Sequence, residues 1–326
     1  MSRVAPAGRG DGVTLIALEE HVLPADLIDQ VWPTAMGPEA LSAKLADVDE
    51  QRLRAMDDAG IGMQVLSVVA PGSQQVPAEA AAELSRALND RCAEAIAAHP
   101  DRFNAFATLP TQDPGAAIVE AKRAITELGF CGVVINGHTH QRFLDAPEFD
   151  ELLSAIEELD APIYLHPTYP PQRVAEVYFS GLPDQTGRAL ATAAWGWHAE
   201  TGLRVLRLAA AGVFARHPNL QIVIGHMGEN LPFSLVRADT VLGRANPDAP
   251  SVAAVIREHV HITICGYTTP PLLCALQVFG ADRIMFSSDY PFGDPVEHSK
   301  FLAEAPISPA DRDKIGFRNA QQLFRL

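Results

Sequence analysis

The stretch Ala17–Pro24, ALEEHVLP, ends the first apolar run of the chain, VTLIALEEH (Val13–His21). Two carboxylates and a histidine stand where a predicted strand gives way to a loop. An open, doubly wound sheet would place a glycine-rich turn after its first strand, and this stretch contains no glycine. The stretch therefore favours the other arrangement of alternating strands and helices, which is a closed parallel barrel.

The orientation of the first strand follows from the alternation of side chains between its two faces. Regular alternation places Glu19 and His21 on the face that also carries Ala17, and Glu20 on the face that carries Leu18. Glu19 and His21 are then expected to act together. Glu20 is expected to be a carboxylate that faces solvent or a neighbouring helix.

Seven further apolar, β-branched runs follow the first one. They are Gly62–Pro71, Phe103–Pro110, Cys131–Gly137, Ala161–Pro167, Leu220–Gly228, Val260–Gly266 and Arg283–Pro291. Helical patterns separate them, with Pro77 at a first helical position and Gly129 at a left-handed C-terminal cap. Eight strand–helix units without a repeat boundary predict an α/β protein with a (β/α)₈ TIM barrel.

The barrel is predicted to be a single catalytic domain that spans residues 13–326. Residues 1–12 lack the apolar core of a signal peptide and are expected to form a flexible lead-in. Two long loops are predicted, at about residues 22–60 after the first strand and 168–187 after the fifth. Both contain aromatic residues and prolines, and loops in these positions of a barrel lie over the active site.

Composition excludes several classes of partner. The formal net charge of -15 argues against binding to a nucleic-acid backbone. No apolar run approaches the roughly 18 residues of a membrane span, so no membrane partner is expected. The four cysteines form no C-x-x-C pair and are typical of reduced thiols, which predicts a cytoplasmic protein.

Residue types that bind metals recur where the predicted strands end. Glu19 and His21 end the first strand, His166 the fifth, His226 the sixth and Asp289 the eighth. A single histidine at a strand end is commonly a hydrogen-bonded structural residue, but ligand types at four strand ends together favour a site. Two imidazoles and two carboxylates suit a divalent cation, Mn²⁺ or Zn²⁺, and Mg²⁺ is compatible. His226 would stand behind the metal and orient a group or move a proton.

Six motifs extend this pattern along the chain. ALEEH, GVVINGH, PIYLHP, WGWHAETGLRVLRL, IGHMGENLPF and FSSDYPF resemble, in this order, the decarboxylase branch of the amidohydrolase superfamily. That branch includes γ-resorcylate, 2,3-dihydroxybenzoate, 5-carboxyvanillate and aminocarboxymuconate semialdehyde decarboxylases. The resemblance runs from about Leu15 to Phe292. It implies a barrel with one divalent metal ion, no organic cofactor, and assembly into a homodimer or homotetramer.

The resemblance also implies roles for individual residues. The metal ligands would be Glu19, His21, His166 and Asp289. His226 and Glu229 match the acid–base pair behind the metal, Arg237 matches an arginine that holds the substrate carboxylate, and Asn136 matches a polar residue of the pocket. His198 departs from the pattern of several relatives. It could contact the substrate in the pocket, or cap a core helix together with Trp195.

The expected reaction is the nonoxidative, reversible decarboxylation of a hydroxylated aromatic acid of the ortho-hydroxybenzoate kind, with Asp289 as proton donor. The partner is then a small aromatic carboxylate. Two alternatives remain open at this point. One is a metal-dependent hydrolase or hydratase on the same scaffold, in which Asp289 is the base. The other is a noncatalytic metal-dependent binding protein with a barrel fold.

Overall fold

A computed structural model describes residues 14–32, 39–183, 185–266 and 268–326. The predicted lead-in, residues 1–12, and Val13 lie outside the described residues. Eight parallel strands form one sheet in which each strand pairs with the next along the chain. They are β1 (Leu15–Val22), β2 (Ile61–Val68), β3 (Phe103–Thr108), β4 (Gly132–Asn136), β5 (Ile163–His166), β6 (Ile222–Ile224), β7 (Val260–Thr263) and β8 (Ile284–Met285). This arrangement confirms the predicted TIM barrel.

Helices surround the sheet. In the described ranges they are α1 (Ile28–Val31), α2 (Glu39–Ala46), α3 (Glu50–Ala59), α4 (Ala78–Ala98), α5 (Pro114–Thr126), α6 (Asp150–Glu158), α7 (Gln172–Tyr178), α8 (Thr186–Ala191), α9 (Gly196–Ala210), α10 (Val213–Arg216), α11 (Leu231–Ala245), α12 (Val252–His259), α13 (Thr269–Phe279), α14 (Pro295–Glu304), α15 (Pro309–Asp313) and α16 (Asn319–Phe324). Short 3₁₀ segments lie at Pro147–Phe149, His226–Gly228 and Ala281–Arg283, and a π-helical segment lies at Lys314–Arg318. No helix in the described part of the chain has the length and apolar character needed to cross a membrane.

The core has two layers, as a barrel requires. Inside the barrel, most strands contribute one large side chain to a single buried cluster; these residues are Ile16, Leu18, Val65, Phe106, Val134, Tyr164, Val223 and Met285. A second and larger cluster lies between the strands and the surrounding helices, and Ala17 belongs to it. The interior is therefore filled by side chains, and the chemistry is confined to the end of the barrel.

The barrel closes where β1 meets the chain that follows β8. The backbone N–H of Leu18 donates to the carbonyl of Phe286 at 3.1 Å, and the N–H of His21 donates to the carbonyl of Tyr290 at 2.7 Å. Leu18 also forms an isolated bridge with Ser287. We call this junction of β1 with Phe286–Tyr290 the barrel seam. Because β8 has only two residues, few backbone hydrogen bonds hold the seam.

The two segments predicted as long loops contain helices. Between β1 and β2, the described residues form α1, α2 and α3, and Leu45 and Met56 in these helices are fully buried. Between β5 and α9 the chain forms α7 and α8. These helices have four to ten residues, which is too short for a clear 3.6-residue period in the sequence. Packing against the barrel stabilises them instead.

Candidate active site

The first strand contains a β-bulge that places the candidate ligands. Ala17 pairs with Gln64 but Glu20 pairs with Leu66, so β1 has one extra residue between these pairs. Glu19 accommodates this irregularity with a φ of 66°. Leu18 and Glu19 therefore both face the barrel interior and Glu20 faces the helices. The prediction that Glu19 shares a face with Ala17 is wrong, because it assumed regular alternation.

The structure brings three of the four predicted metal ligands together at the C-terminal end of the barrel, and the fourth, Asp289, contacts one of them. Donor atoms of Glu19, His21 and His166 all lie within 4.8 Å of one another. His166 Nε2 is 3.6 Å from Glu19 Oε1, and His21 Nε2 is 3.1 Å from Asp289 Oδ1. Glu19, His21 and His166 are buried, whereas the Asp289 side chain is 23% exposed. Asp289 is thus the member that faces the opening.

The hydrogen bonds of the two imidazoles turn their second nitrogens toward these carboxylates. His166 Nδ1 is 2.7 Å from the carbonyl oxygen of Pro167, to which it must donate. Its Nε2 then carries a lone pair directed at the cluster, and burial supports this neutral form by lowering the pKa of His166 to about 3. His21 Nδ1 lies 3.2 Å from Ser67 Oγ, which leaves its Nε2 on the cluster side. The lone pair of His166 and the second ring nitrogen of His21 thus both face carboxylates across a short gap, and a cation completes such an arrangement.

The two oxygens of Glu19 have different surroundings. Oε2 accepts hydrogen bonds from Tyr164 Oη at 2.6 Å, Thr263 Oγ1 at 3.2 Å and Cys265 Sγ at 2.9 Å. Oε1 is buried and has no hydrogen-bond partner among the described residues. A buried carboxylate oxygen without a donor is costly unless a cation binds it, so the residues present fit a divalent metal ion.

Behind this cluster, Glu229 joins two histidines. His226 Nδ1 donates to Glu229 Oε1 at 2.8 Å, and His198 Nδ1 donates to Glu229 Oε2 at 2.7 Å. Burial opposes charge at both His226 and Glu229. Even so, the carboxylates of Glu19 and Glu229 raise the pKa of His226 to about 10, and the two imidazoles lower the pKa of Glu229 to about 2. His226 Nε2 faces Asp289 Oδ2 at 4.0 Å.

His198 matches neither of the two predicted roles, which were contact with the substrate and capping of a core helix together with Trp195. It is buried on α9, and its Nε2 donates to the carbonyl oxygen of Ala193 at 2.8 Å while its Nδ1 holds Glu229. Trp195, the proposed capping partner, is 57% exposed. His198 therefore belongs to the hydrogen-bond network behind the metal cluster.

Four of these residues adopt backbone conformations that are uncommon for residues other than glycine. Positive φ values occur at Glu19 (66°), His226 (48°), Glu229 (52°) and Asp289 (55°). Each such residue costs about 1–3 kcal/mol, and such strain concentrates at active sites. The strain gives independent support to a functional role for this end of the barrel.

A cavity of about 1060 Å³ opens beside the cluster. Trp197 and Thr168 line it, and the Trp197 ring lies 6.2 Å from the ring of His166. Asn136 ends β4 and is fully buried, and neither atom of its amide has a partner in the described ranges. Arg237 is exposed on α11, and no hydrogen bond or ion pair in the described part of the chain joins it to the cluster.

Glu20 is fully buried and faces the helices, so of the two environments predicted for it the structure excludes solvent and agrees with the helix-facing one. It accepts hydrogen bonds from Ser288 and Gln64 in the layer between β1 and α3. Burial raises the pKa of Glu20 to about 7, against the effect of the Ser288 hydrogen bonds and of Arg52. Tyr164, which donates to Glu19, was not among the predicted site residues, although it stands two residues before His166 on the same strand face.

The fold and the site define the class: a (β/α)₈ barrel with a cluster of histidines and carboxylates suited to a divalent cation. A family model described as amidohydrolase matches residues 21–326. The γ-resorcylate decarboxylase of Rhizobium radiobacter is 38% identical over 327 residues, covering 95% of this chain and 98% of the relative. The chain therefore belongs to the amidohydrolase family, as the sequence motifs predicted.

Solved structures place the chain in the decarboxylase branch of this family. A 2,6-dihydroxybenzoate decarboxylase complexed with 2,6-dihydroxybenzoate superposes with a TM-score of 0.89 at 37% identity, covering 96% of this chain and 99% of that one. A dihydroxybenzoic acid decarboxylase from Polaromonas sp., with bound manganese and the inhibitor 2-nitroresorcinol, gives a TM-score of 0.87 at 35% identity, covering 96% and 97%. The similarity extends over nearly the full length of both chains.

Proposed function

We propose that this protein is a metal-dependent carboxy-lyase that removes the carboxylate nonoxidatively from a hydroxylated aromatic acid. The observation that carries the proposal is the buried Oε1 of Glu19, which has no hydrogen-bond partner among the described residues and stands beside the imidazoles of His21 and His166. The Rhizobium radiobacter relative, which is 38% identical over nearly the full length, is a γ-resorcylate decarboxylase. The structurally similar 2,6-dihydroxybenzoate decarboxylase was solved with 2,6-dihydroxybenzoate bound. These are two names for one compound, an aromatic acid with a hydroxyl group on each side of the carboxylate, so we expect a substrate of this class.

Glu19, His21, His166 and Asp289 are the residues that would hold the metal ion. Mn²⁺ and Zn²⁺ both suit this mixed nitrogen and oxygen set, and the Polaromonas relative binds manganese. A divalent cation there would supply Lewis-acid chemistry toward the phenolate and carboxylate oxygens of the substrate. Side chains of this protein would carry out the proton transfer and orient the substrate.

Asp289 is our candidate for the proton donor. It is more exposed than the other three proposed ligands and faces the opening, where a bound ring would lie. Transfer of its proton to the ring carbon that bears the carboxylate interrupts aromaticity. Cleavage of the carbon–carbon bond then releases CO₂ and returns the electron pair to the ring. The reverse reaction is expected at high bicarbonate.

The remaining residues would orient the donor and the substrate. Glu229 fixes His226 with Nδ1 protonated, so that Nε2 faces Asp289 and the reacting centre. His198 holds Glu229 in place. Asn136 is proposed as a polar contact of the substrate, because its buried amide has free hydrogen-bonding capacity among the described residues. The assignment of Arg237 to the substrate carboxylate stays a prediction.

A homodimer or homotetramer is also proposed. Helix α11 exposes Phe233, Val236 and Val241, with Phe233 92% exposed, and a second copy of the chain would cover these side chains. Light scattering coupled to size-exclusion chromatography measures the mass of the assembly. A monomer would contradict this part of the proposal.

The activity is tested with protein reconstituted separately with Mn²⁺ and Zn²⁺ and offered a panel of ortho-hydroxybenzoates. Turnover that a chelator abolishes and metal restores is expected. Asp289→Asn should reduce kcat by about 10²- to 10⁴-fold while metal stays bound, the range for loss of a general acid. Full activity of this variant would refute the proton-donor role. Hydrolysis of a lactone or amide, with no decarboxylation of any panel member, would refute the function.

A further inference from the structure

Glu20, Arg52, Gln64 and Ser288, which we call the seam network, are fully buried on the outer side of β1. Ser288 donates twice to Glu20, through its backbone N–H to Oε1 at 2.8 Å and through its hydroxyl to Oε2 at 2.7 Å. Gln64 Nε2 donates to the same Oε2 at 3.0 Å. The carboxylate of Glu20 therefore joins β1, β2 and the chain after β8 in one set of hydrogen bonds.

Arg52 of α3 extends the network to the backbone of a proposed metal ligand. Its Nη1 donates to Gln64 Oε1 at 3.2 Å, and its Nη2 donates to the carbonyl oxygen of His21. Its Nε donates to the carbonyl oxygen of Asp47 at 2.8 Å, and the guanidinium lies 4.7 Å from the centre of the Tyr290 ring. The guanidinium thus contacts both sides of the barrel seam.

The network flanks the proposed metal ligands in sequence as well as in space. Glu20 stands between Glu19 and His21, and Ser288 directly precedes Asp289. These ligands come from the two sides of the seam, where few backbone hydrogen bonds form. Side-chain hydrogen bonds therefore supply much of the connection between the two halves of the ligand set.

We infer that the seam network is a positioning device for the metal site. Glu20 and Arg52 set the distance between the β1 ligands and Asp289, and hold the irregular backbone on which these ligands stand. The inference rests on the proposed function only in requiring a metal ion at this cluster. Metal–ligand distances tolerate changes of about 0.2 Å, so a loosened seam should weaken metal binding before it prevents folding.

Glu20→Gln is the variant that tests this inference. It preserves the shape of the side chain but turns an amide donor toward the donors of Ser288 or Gln64. The matched control is Glu120→Gln on α5, where a buried carboxylate accepts from Asn89 and Arg123 at a distance from the cluster. Both variants disturb the hydrogen bonds that a buried carboxylate accepts, so both should lower the melting temperature. Only Glu20→Gln should weaken Mn²⁺ binding, by about 10- to 100-fold in Kd as measured by calorimetry.

Hydrogen exchange of the metal-free proteins gives a second readout that needs neither metal nor substrate. The Ser288 amide should exchange faster in Glu20→Gln than in wild type and in Glu120→Gln. Wild-type Mn²⁺ affinity together with unchanged exchange in Glu20→Gln overturns the inference. If Glu20→Gln does not fold, Ser288→Ala removes one hydrogen bond and must still weaken Mn²⁺ binding, and wild-type affinity there overturns it. Failure of wild-type protein to bind metal would refute the proposed function and the positioning role together. A wild-type protein that binds Mn²⁺, with Glu20→Gln indistinguishable from it in affinity and exchange, would overturn the positioning role alone.

Discussion

Gly225 directly follows β6 and lies against the carboxylate of Glu19, so a side chain at this position should disturb the proposed metal site. A Cβ at this position would lie 2.6 Å from Glu19 Oε1 and 2.8 Å from Oε2. Gly225 has a φ of -78°, so alanine is compatible with the backbone and the substitution acts through volume alone. Ordinary contact begins at 3.4 Å, so the carboxylate would have to move by about 0.8 Å.

The carboxylate of Glu19 cannot make this movement without loss. Its Oε2 accepts three hydrogen bonds, from Tyr164, Thr263 and Cys265, and the side chain is fully buried. The required shift is several times the tolerance of about 0.2 Å in a metal–ligand bond. Gly225→Ala should therefore weaken Mn²⁺ binding by at least the 10- to 100-fold typical of disturbed ligand orientation, roughly 1.4–2.7 kcal/mol.

Calorimetric titration of the metal-free variant with Mn²⁺ measures this change, and steady-state assays at saturating metal report how much turnover returns. The control is Gly243→Ala on the exposed side of α11, where a Cβ meets nothing within 4 Å. That variant should bind Mn²⁺ normally and gain about 0.5–1 kcal/mol of stability from improved helix propensity. Wild-type Mn²⁺ affinity in Gly225→Ala would refute the assignment of Glu19 as a ligand held in this orientation.

Two further predictions concern histidines with different roles. His198→Ala should lower kcat by about tenfold with little change in KM or Mn²⁺ affinity, because it removes one of the two imidazoles that hold Glu229; a changed KM at constant kcat would instead support direct contact with the substrate. His261, buried beside Arg283 at the start of β7, has its pKa lowered by burial to about 3, so the unfolded chain binds the extra proton first as pH falls. The free energy of unfolding of the wild type should therefore decrease as the pH is lowered from about 6.5. His261 accounts for up to about 1.4 kcal/mol of this decrease per pH unit, so His261→Gln should lose that much less in urea unfolding. Parallel stability curves for the two proteins would contradict that account.

The sequence was sufficient for the barrel because each buried parallel strand is an apolar run that needs no tertiary information to be noticed. It was less informative about where the strands end. The predicted sixth and eighth strands, Leu220–Gly228 and Arg283–Pro291, shorten to β6 and β8, and His226 and Asp289 lie in the turns that follow. These turns are buried like the strands and contain the apolar residues Met227, Phe286 and Tyr290, so hydrophobicity alone does not show where each strand ends.

The faces of β1 could not be predicted for a different reason. A one-residue bulge exchanges the two faces of a strand beyond it. Glycine often marks such a site, but here the positive φ falls on Glu19, which has no sequence signal for it. The full burial of Glu20 was not predictable from its neighbours in sequence, because its hydrogen-bond partners Gln64 and Ser288 come from β2 and from the chain after β8.

The β-bulge at Glu19 sets the environments of both carboxylates, Glu19 on the side of the metal cluster and Glu20 on the side of the helices. Without the bulge, Glu19 would face the helices and Glu20 would point into the barrel, so the two adjacent carboxylates would exchange environments. With it, the inward carboxylate offers a cation an oxygen that accepts no hydrogen bond from the described residues, and the outward carboxylate joins β1 to the chain around Asp289. The positive φ at Glu19 costs free energy, which the hydrogen bonds of both carboxylates offset. Loss of the hydrogen bonds of Glu20 should therefore displace Oε1 of Glu19, although no atom of Glu20 faces the metal cluster.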